Sequence, residues 1–219
     1  MHTESAPGQY EWTMKPSYNI KAADNSFLYK NTIKHIARNH NIRAMFATTP
    51  QCDNTFANSN GAHFNHSLWD KNGNNLFFDK NSPNKLSLIG RYWIGGILKH
   101  LNGLTAFAVS TENCFRRINN KFNWSPCNAS YGFDHRLTTI RIKTDDNNQN
   151  GCYIEYRLPC SASNPYHIIS SIIIAGMDGI KNKILPKYNP HKIKDGPPNL
   201  CDKYSKIPQH STNALNELS

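Results

Sequence analysis

Four side chains that can bind a hard divalent cation lie on or beside segments with the alternation of β-strands. They are Glu4, Glu11, His63 and Glu155. Carboxylates suit Mg²⁺ or Mn²⁺, and a single histidine among them is compatible with either ion. Each residue alone has an ordinary alternative, as an exposed glutamate or a hydrogen-bonded histidine. Spacing therefore leaves a metal site and unrelated surface groups both open.

Four arginines form a second set of candidates: Arg117, Arg136, Arg141 and Arg157. The planar guanidinium group matches the geometry of phosphate and carboxylate oxygens. Ordinary surface ion pairs, which stabilise a fold little, are the alternative. The residues alone do not decide between these two interpretations.

Alternating apolar and polar residues predict the strands that would position these groups. The segments are residues 9–15, 63–69, 137–143 and 152–158, with a further short strand near residues 44–48. The first strand would place Glu11 on its polar face. The second would place His63 and Ser67 on one face, and the last would do the same for Glu155 and Arg157.

Helical periodicity predicts three helices, over about residues 24–39, 85–107 and 164–182. Asp24 or Ser26 is expected to cap the first of them. Its buried side would carry Leu28, Ile33, Ile36 and Ala37. Residues 110–135 show no period and are predicted to form a long polar loop.

These elements alternate irregularly and include hairpin signals, so the predicted class is α+β with a mainly antiparallel sheet. Residues 1–186 are expected to form one domain. Residues 187–219 are rich in Pro, Lys and Asn at their start and are expected to form an irregular extension of it.

Composition limits the classes of function. The chain has 219 residues and a formal net charge of +10, but its basic residues are scattered singly, which argues against a nucleic-acid partner and favours small anionic substrates. The most apolar stretch, residues 168–177, is too short to span a bilayer. Six cysteines without zinc-like spacing indicate reduced thiols and a cytoplasmic location.

Several motifs, in order along the chain, resemble the catalytic domain of the glutamine synthetase family. They are HTESAPGQYE, NSNGAHFNHSLW, FRRI, FDHRLTTIRI, YIEYRLP and SASNPYHIISSIIIAGMDGIKNKI. The resemblance implies a curved, mainly antiparallel sheet flanked by helices. It also implies a reaction in which ATP phosphorylates the side-chain carboxylate of glutamate and ammonia, or an amine, then displaces the phosphate.

The resemblance also assigns roles to residues. Two Mg²⁺ or Mn²⁺ ions are expected, one bound by Glu4 and Glu11 and the other by His63 and Glu155. The remaining roles are nucleotide binding by Ser67, Arg136 and Arg141, glutamate binding by Asn58, Ser59, Gly61, Arg117 and Arg157, and catalysis by Arg117, Arg136 and Arg141.

In the resembling family each active site lies between neighbouring subunits, which implies a homo-oligomer. The resemblance begins at the second acidic strand, so the small N-terminal domain and two further metal glutamates have no counterpart. The isolated chain is therefore expected to be inactive.

Some positions depart from the family pattern. Ser59 replaces a flexible loop glycine, and Trp124 stands where bacterial-type enzymes carry an ammonium-site glutamate, which favours another amine. The segments SLWDKNG, RYWIGGILKH and AADNSF resemble the lengsin branch, whose members have the fold and are regarded as lacking the activity. A non-catalytic structural or filament-associated protein is therefore the alternative function.

Overall fold

The computed structural model describes residues 1–50, 59–119, 124–195 and 203–218. Its strands are β1 (His2–Thr3), β2 (Tyr10–Glu11), β3 (Phe64–His66), β4 (Tyr131–Phe133), β5 (Ile140–Lys143) and β6 (Tyr153–Tyr156). Its helices are α1 (Lys21–Asn39), α2 (Leu88–Lys99), α3 (Leu101–Ala108), α4 (Glu112–Asn119), α5 (Pro165–Lys181) and α6 (Ser211–Asn216).

The central sheet has four strands in the order β3-β6-β5-β4. Strand β6 pairs antiparallel with β3 and with β5, whereas β4 runs parallel to β5. Strands β1 and β2 form a separate antiparallel pair. The predicted α+β class with a mainly antiparallel sheet is confirmed, and the parallel β4–β5 pair is an addition to it.

Helices α2 and α5 pack together and cover the apolar side of the sheet. Ser87 begins α2 by accepting a hydrogen bond from the Gly90 N–H, and Asn164 begins α5 in the same way with Tyr166. The buried core includes Trp93, Ile94, Ile97, Ile140, Ile142, Ile154 and Ile172. One face of β5 and β6 is thus fixed in the core, which leaves the opposite face for polar residues.

Four predicted segments differ from the structure, because periodicity does not show where a helix or strand is interrupted. The helix predicted over 85–107 is divided at His100 into α2 and α3. The predicted loop at 110–135 contains α4, which carries Arg117. Residues 44–48 form no strand, and of the strand predicted over residues 9–15 only Tyr10–Glu11, which is β2, is formed.

Helix α1 begins at Lys21, earlier than predicted, and its cap position is Ile20 rather than Asp24 or Ser26. Leu28 and Ile36 are exposed instead of buried. Periodicity shows which residues share a helix face, but it does not show whether another element covers that face.

The segment from residue 187 contributes to the core and to helix packing. Tyr204, Ile207 and Ala214 are buried, and α6 packs against α3. The division at residue 186 stays a prediction. Among the described helices, none combines the length and the apolar character needed to cross a lipid bilayer.

Candidate metal and anion site

The carboxylate of Glu155 is the centre of a charged cluster on the polar face of the sheet. In the strand register Glu155 lies between Asn65 on β3 and Arg141 on β5. Its Oε1 is 3.1 Å from His63 Nδ1 and accepts a hydrogen bond from Arg157, while Oε2 accepts one from Arg141 Nη1 at 3.0 Å. The fold therefore brings His63, Arg141, Glu155 and Arg157 together, and of these the strand alternation had placed Glu155 and Arg157 on one face.

The surroundings of Glu155 keep it ionised at neutral pH. Burial raises the pKa of this carboxyl, but the hydrogen bond from His63 and the charges of Arg157, His63 and Arg141 outweigh that effect and lower the pKa to about 2. A group held in its charged form inside a partly buried cluster can accept a cation without first losing a proton.

His63 is held in its neutral form. Burial lowers the pKa of this imidazole, and the charges of Arg157 and Arg117 lower it further against the favourable contact with Glu155. With a proton on Nδ1 facing Glu155, the lone pair of a neutral imidazole lies on Nε2. His63 thus has the electronic form that a metal ligand needs.

The β1–β2 hairpin groups three further ligand atoms. The register places His2 opposite Glu11, and Glu4 follows His2 by two residues. His2 Nε2 lies 3.3 Å from Glu4 Oε1 and 3.7 Å from Glu11 Oε2, and all three ligand atoms lie within 4.8 Å of one another.

The two hairpin carboxyl groups interact as like charges. Burial, the hydrogen bond with Glu4 and the Glu4 charge raise the pKa of Glu11, and the charge of Glu155 adds to this effect. Gln9, which lies between the two glutamates in the sequence, donates a hydrogen bond to Asn60, so the hairpin is tied to the loop that precedes His63. Two carboxylates that repel each other, with an imidazole beside them, fit a divalent cation, which would relieve the repulsion.

Sequence reasoning missed His2 as a member of this group. The spacing of two residues between His2 and Glu4 is the one available hint, since residues two apart in extended chain point to the same side. The two-residue strand at this point was too short to show an alternating pattern.

Arg117 is buried and faces main-chain carbonyls at the end of β6. Its Nη1 donates to the oxygen of Leu158 at 2.8 Å, and its Nη2 donates to the oxygen of Arg157 at 3.0 Å. A Cβ added to Gly61 would lie 2.9 Å from Arg117 Nη2 and 3.1 Å from His63 Nε2. Gly61 therefore touches the charged cluster from the loop side.

The loop at residues 59–61 is tied to both neighbouring segments. Gln9 of the hairpin region donates to Asn60 Oδ1 at 2.8 Å and to the Ser59 oxygen at 3.4 Å. Gly61 forms an isolated bridge with Cys160 beyond β6. Asn58, predicted with Ser59 and Gly61 to contact substrate, lies outside the described residues.

Within the described residues, two predicted nucleotide residues form no hydrogen bond or ion pair with the Glu155 cluster. Arg136 is exposed and forms no hydrogen bond or ion pair with the described part of the chain. The Ser67 hydroxyl accepts a hydrogen bond from Trp69 Nε1 at 2.8 Å. Their roles stay predictions.

Comparison with known proteins identifies close relationships over most of the chain. The family model "Glutamine synthetase, catalytic domain" matches residues 1–219. Type-1 glutamine synthetase 1 of Dictyostelium discoideum is 38% identical over 186 residues, which are 84% of this chain and 36% of that protein. Glutamine synthetase of Mycolicibacterium smegmatis is 35% identical over 212 residues, 96% of this chain and 43% of that protein.

Solved structures show the same relationship. The chain of a GmaS/ADP complex superposes with a TM-score of 0.76 at 30% identity, over 90% of this chain and 44% of that one. Plasmodium falciparum glutamine synthetase gives a TM-score of 0.76 at 27% identity, over 91% and 45%. This chain spans less than half the length of these relatives. The chain belongs to the glutamine synthetase family, and the match is to its catalytic domain.

Proposed function

We propose that this chain is the catalytic module of an ATP- and metal-dependent ligase that joins the side-chain carboxylate of glutamate to ammonia or an amine. The convergence of His63, Arg141 and Arg157 on the Glu155 carboxylate, close to the hairpin, carries the proposal. Carboxylates for cations and arginines for anions lie side by side there. That combination suits a reaction between a nucleotide phosphate and a carboxylate.

The residues fall into two groups by their proposed roles. Glu4 and Glu11, with His2 beside them, would hold one divalent ion, and His63 with Glu155 would hold a second. Bound ions would supply charge neutralisation for the phosphate oxygens during transfer. Magnesium or manganese is the ion class that these donors favour.

The arginines would bind and orient the anionic reactants. Arg141 and Arg157 would face the phosphate and the glutamate, because both guanidinium groups already lie at the Glu155 carboxylate. Arg117 would support the same region from beneath through the main chain of β6. Positioned positive charge stabilises the transition state of phosphoryl transfer, so no protein nucleophile is required.

The complete protein is proposed to be a cytoplasmic homo-oligomer with ammonia or another amine as acceptor. Trp124, at the position where an acidic ammonium-site residue is expected, is 66% exposed, so an apolar surface is available to an amine larger than ammonia. Since the relatives are more than twice as long, the 219 residues alone are expected to bind nucleotide without turnover.

Calorimetry with a non-hydrolysable ATP analogue and Mn²⁺ tests the proposal. The chain should bind the nucleotide only when Mn²⁺ is present, and His63→Ala or Glu155→Gln should weaken binding by about tenfold or more. His35→Ala on the exposed face of α1 and Glu217→Gln near the C-terminus are the matched controls. Absence of binding at millimolar nucleotide would contradict the proposal and favour a non-catalytic scaffold.

Turnover assays on a protein of the relatives' length that contains this chain separate the remaining functions. Phosphate release that needs both glutamate and an amine would identify the ligase, and a panel of amines would identify the acceptor. Nucleotide binding without phosphate release, whichever amine is supplied, would count against catalysis. Salt-sensitive binding of random-sequence DNA would instead indicate a nucleic-acid function.

A further inference from the structure

Asp134 lies directly after β4 and faces Arg141 of the neighbouring strand. Its Oδ1 accepts a hydrogen bond from Arg141 Nη2 at 3.0 Å and another from Lys143 Nζ. Arg141 and Lys143 are two residues apart on β5, so their side chains share one face of the sheet. Asp134 is the carboxylate that joins them.

The backbone fixes the place of this carboxylate. Asp134 has a φ of +53°, in the left-handed region that aspartate tolerates better than most residues. Its N–H donates to the Ile142 oxygen at 3.0 Å, which anchors the chain against β5 as the parallel pairing of β4 ends. The carboxylate is therefore set beside the two basic side chains by main-chain geometry.

The guanidinium group of Arg141 is held between two carboxylates. Nη1 donates to Glu155 Oε2 at 3.0 Å and Nη2 donates to Asp134 Oδ1, while the buried Nε has no hydrogen-bond partner in the described chain. Only its two terminal nitrogens fix its orientation. If Glu155 turns to a bound cation, Asp134 is the remaining restraint on Arg141.

We propose that Asp134 is a positioning residue that holds Arg141 by Nη2, so that Nη1 can meet a phosphate oxygen once Glu155 binds a cation. The inference rests on the proposed function, since it assigns the nucleotide phosphate as the ligand of Arg141. Lys143 shares the same carboxylate and keeps the local charge positive, which favours the approach of an anion.

A positioning role differs from a structural one in its expected effects. The Asp134 side chain is 54% exposed, and exposed ion pairs contribute little to stability. Asp134→Asn should therefore leave the melting temperature within about 3 °C of the wild type. It should nevertheless weaken binding of the Mn²⁺-bound ATP analogue by about tenfold, the typical effect of losing a partner that orients a ligating group.

A double-mutant cycle tests whether Asp134 acts through Arg141. Asp134→Asn, Arg141→Met and the double variant are titrated with the same Mn²⁺-bound analogue, and the double variant should bind no more weakly than Arg141→Met alone. Asp178→Asn, which removes an equal charge from a carboxylate that also joins two basic side chains, should bind like the wild type. An additive loss in the double variant would overturn the proposal.

A second measurement separates this inference from the proposed function. The Nε–H signal of Arg141 in ¹⁵N-arginine-labelled protein, assigned by its loss in Arg141→Met, should broaden or shift in Asp134→Asn without any nucleotide. An unchanged signal would overturn the positioning role. Failure of the wild-type chain to bind nucleotide, with the signal still responding to Asp134→Asn, would overturn the proposed function instead.

Discussion

Arg117 combines a charged head group with an almost fully buried position. Its guanidinium hydrogen-bonds the carbonyls of Arg157 and Leu158 and lies 3.6 Å from Cys160 Sγ. These contacts fix the main chain that follows β6, and therefore the direction of the Arg157 side chain. A substrate role for Arg117 would be additional to this structural one.

Replacing Arg117 with methionine should destabilise the fold. The variant loses two charge-assisted hydrogen bonds and leaves two buried carbonyls without donors, so the free energy of unfolding should fall by about 2 to 4 kcal/mol. Urea denaturation measures the change, with Arg38→Met on exposed α1 as the control. Wild-type stability combined with lost nucleotide binding would show that Arg117 acts on the ligand alone.

His66 gives the fold a dependence on pH. Burial lowers the pKa of this imidazole to about 4, although the Phe64 carbonyl opposes the change, and its Nε2 accepts a hydrogen bond from Trp93 Nε1 at 2.9 Å. The unfolded chain binds the proton more tightly than the folded one. Stability is therefore fully present above pH 6.5 and is lost as the pH falls toward 4.

Comparison with His66→Gln isolates this contribution. A neutral glutamine can still accept from Trp93 but does not titrate, so the wild type should lose up to about 3 kcal/mol more than the variant between pH 6.5 and pH 4. Urea titrations at several pH values measure the difference. If the free energy of unfolding changed with pH equally in the two proteins, His66 would not be the source of the pH dependence.

The sequence predicted part of the Glu155 cluster but not its further contacts. Strand alternation placed Glu155 and Arg157 on one face, and that information is local. The contact of Asp134 with Arg141 depends on the parallel pairing of β4 with β5. The grouping of His2 with Glu11 depends on the register of the β1–β2 hairpin. Neither contact follows from the period of one segment.

At the scale of elements, the contact of α2 with α5 rests on glycines. A Cβ on Gly179 would collide with the Tyr92 oxygen and lie 2.7 Å from Gly96 N, and a Cβ on Gly176 would enter the Trp93 ring. The two helix backbones therefore touch without intervening side chains. This close approach holds both helices at a fixed distance above the sheet.

Gly179→Ala should destabilise the protein despite the better helix propensity of alanine. Propensity favours alanine by about 1 kcal/mol, but the clash with backbone atoms should cost about 3 kcal/mol or more. Thermal unfolding measures the net loss, with Ser170→Ala on the exposed side of α5 as the control. An unchanged melting temperature would mean that the helices can separate slightly at no cost.

The division between α2 and α3 shows a limit of periodicity. The apolar residues continue in phase past His100, so no interruption is visible in the sequence. The break is held by tertiary contacts, since His100 Nε2 lies 2.7 Å from Asp178 Oδ2 on α5. The helical segments were predictable because their apolar pattern extends over many residues. Helix α4 is short, so its pattern could not be distinguished from that of a loop.

At the scale of the whole molecule, basic residues exceed acidic ones by ten. The cluster around Glu155 gathers two arginines and a neutral histidine on one carboxylate, and α1 carries several cations on its exposed side. Mutual repulsion of this charge opposes folding at low ionic strength. The antiparallel fold class was predictable because it depends on strand and hairpin patterns rather than on charge.

Moderate salt should therefore stabilise the protein. Raising NaCl from about 10 mM to about 150 mM shortens the screening length to about 8 Å, so the melting temperature at pH 7 should rise. The rise should shrink near the isoelectric pH of about 9.3, where the net charge vanishes. A fall in melting temperature would show that ion pairs, such as those of Glu155, outweigh the repulsion.

The strand order β3-β6-β5-β4 also governs when the site can exist during synthesis. Strand β6 lies between β3 and β5, so the pairing of Phe64–His66 with Tyr153–Tyr156 must wait until most of the described chain has left the ribosome. Contacts between such distant segments form slowly and late. Until then His63 and Arg141 Nη1 lack the Glu155 carboxylate, so a nascent chain stalled before β6 would carry no assembled metal and anion site, and Asp134 would be the carboxylate left to Arg141.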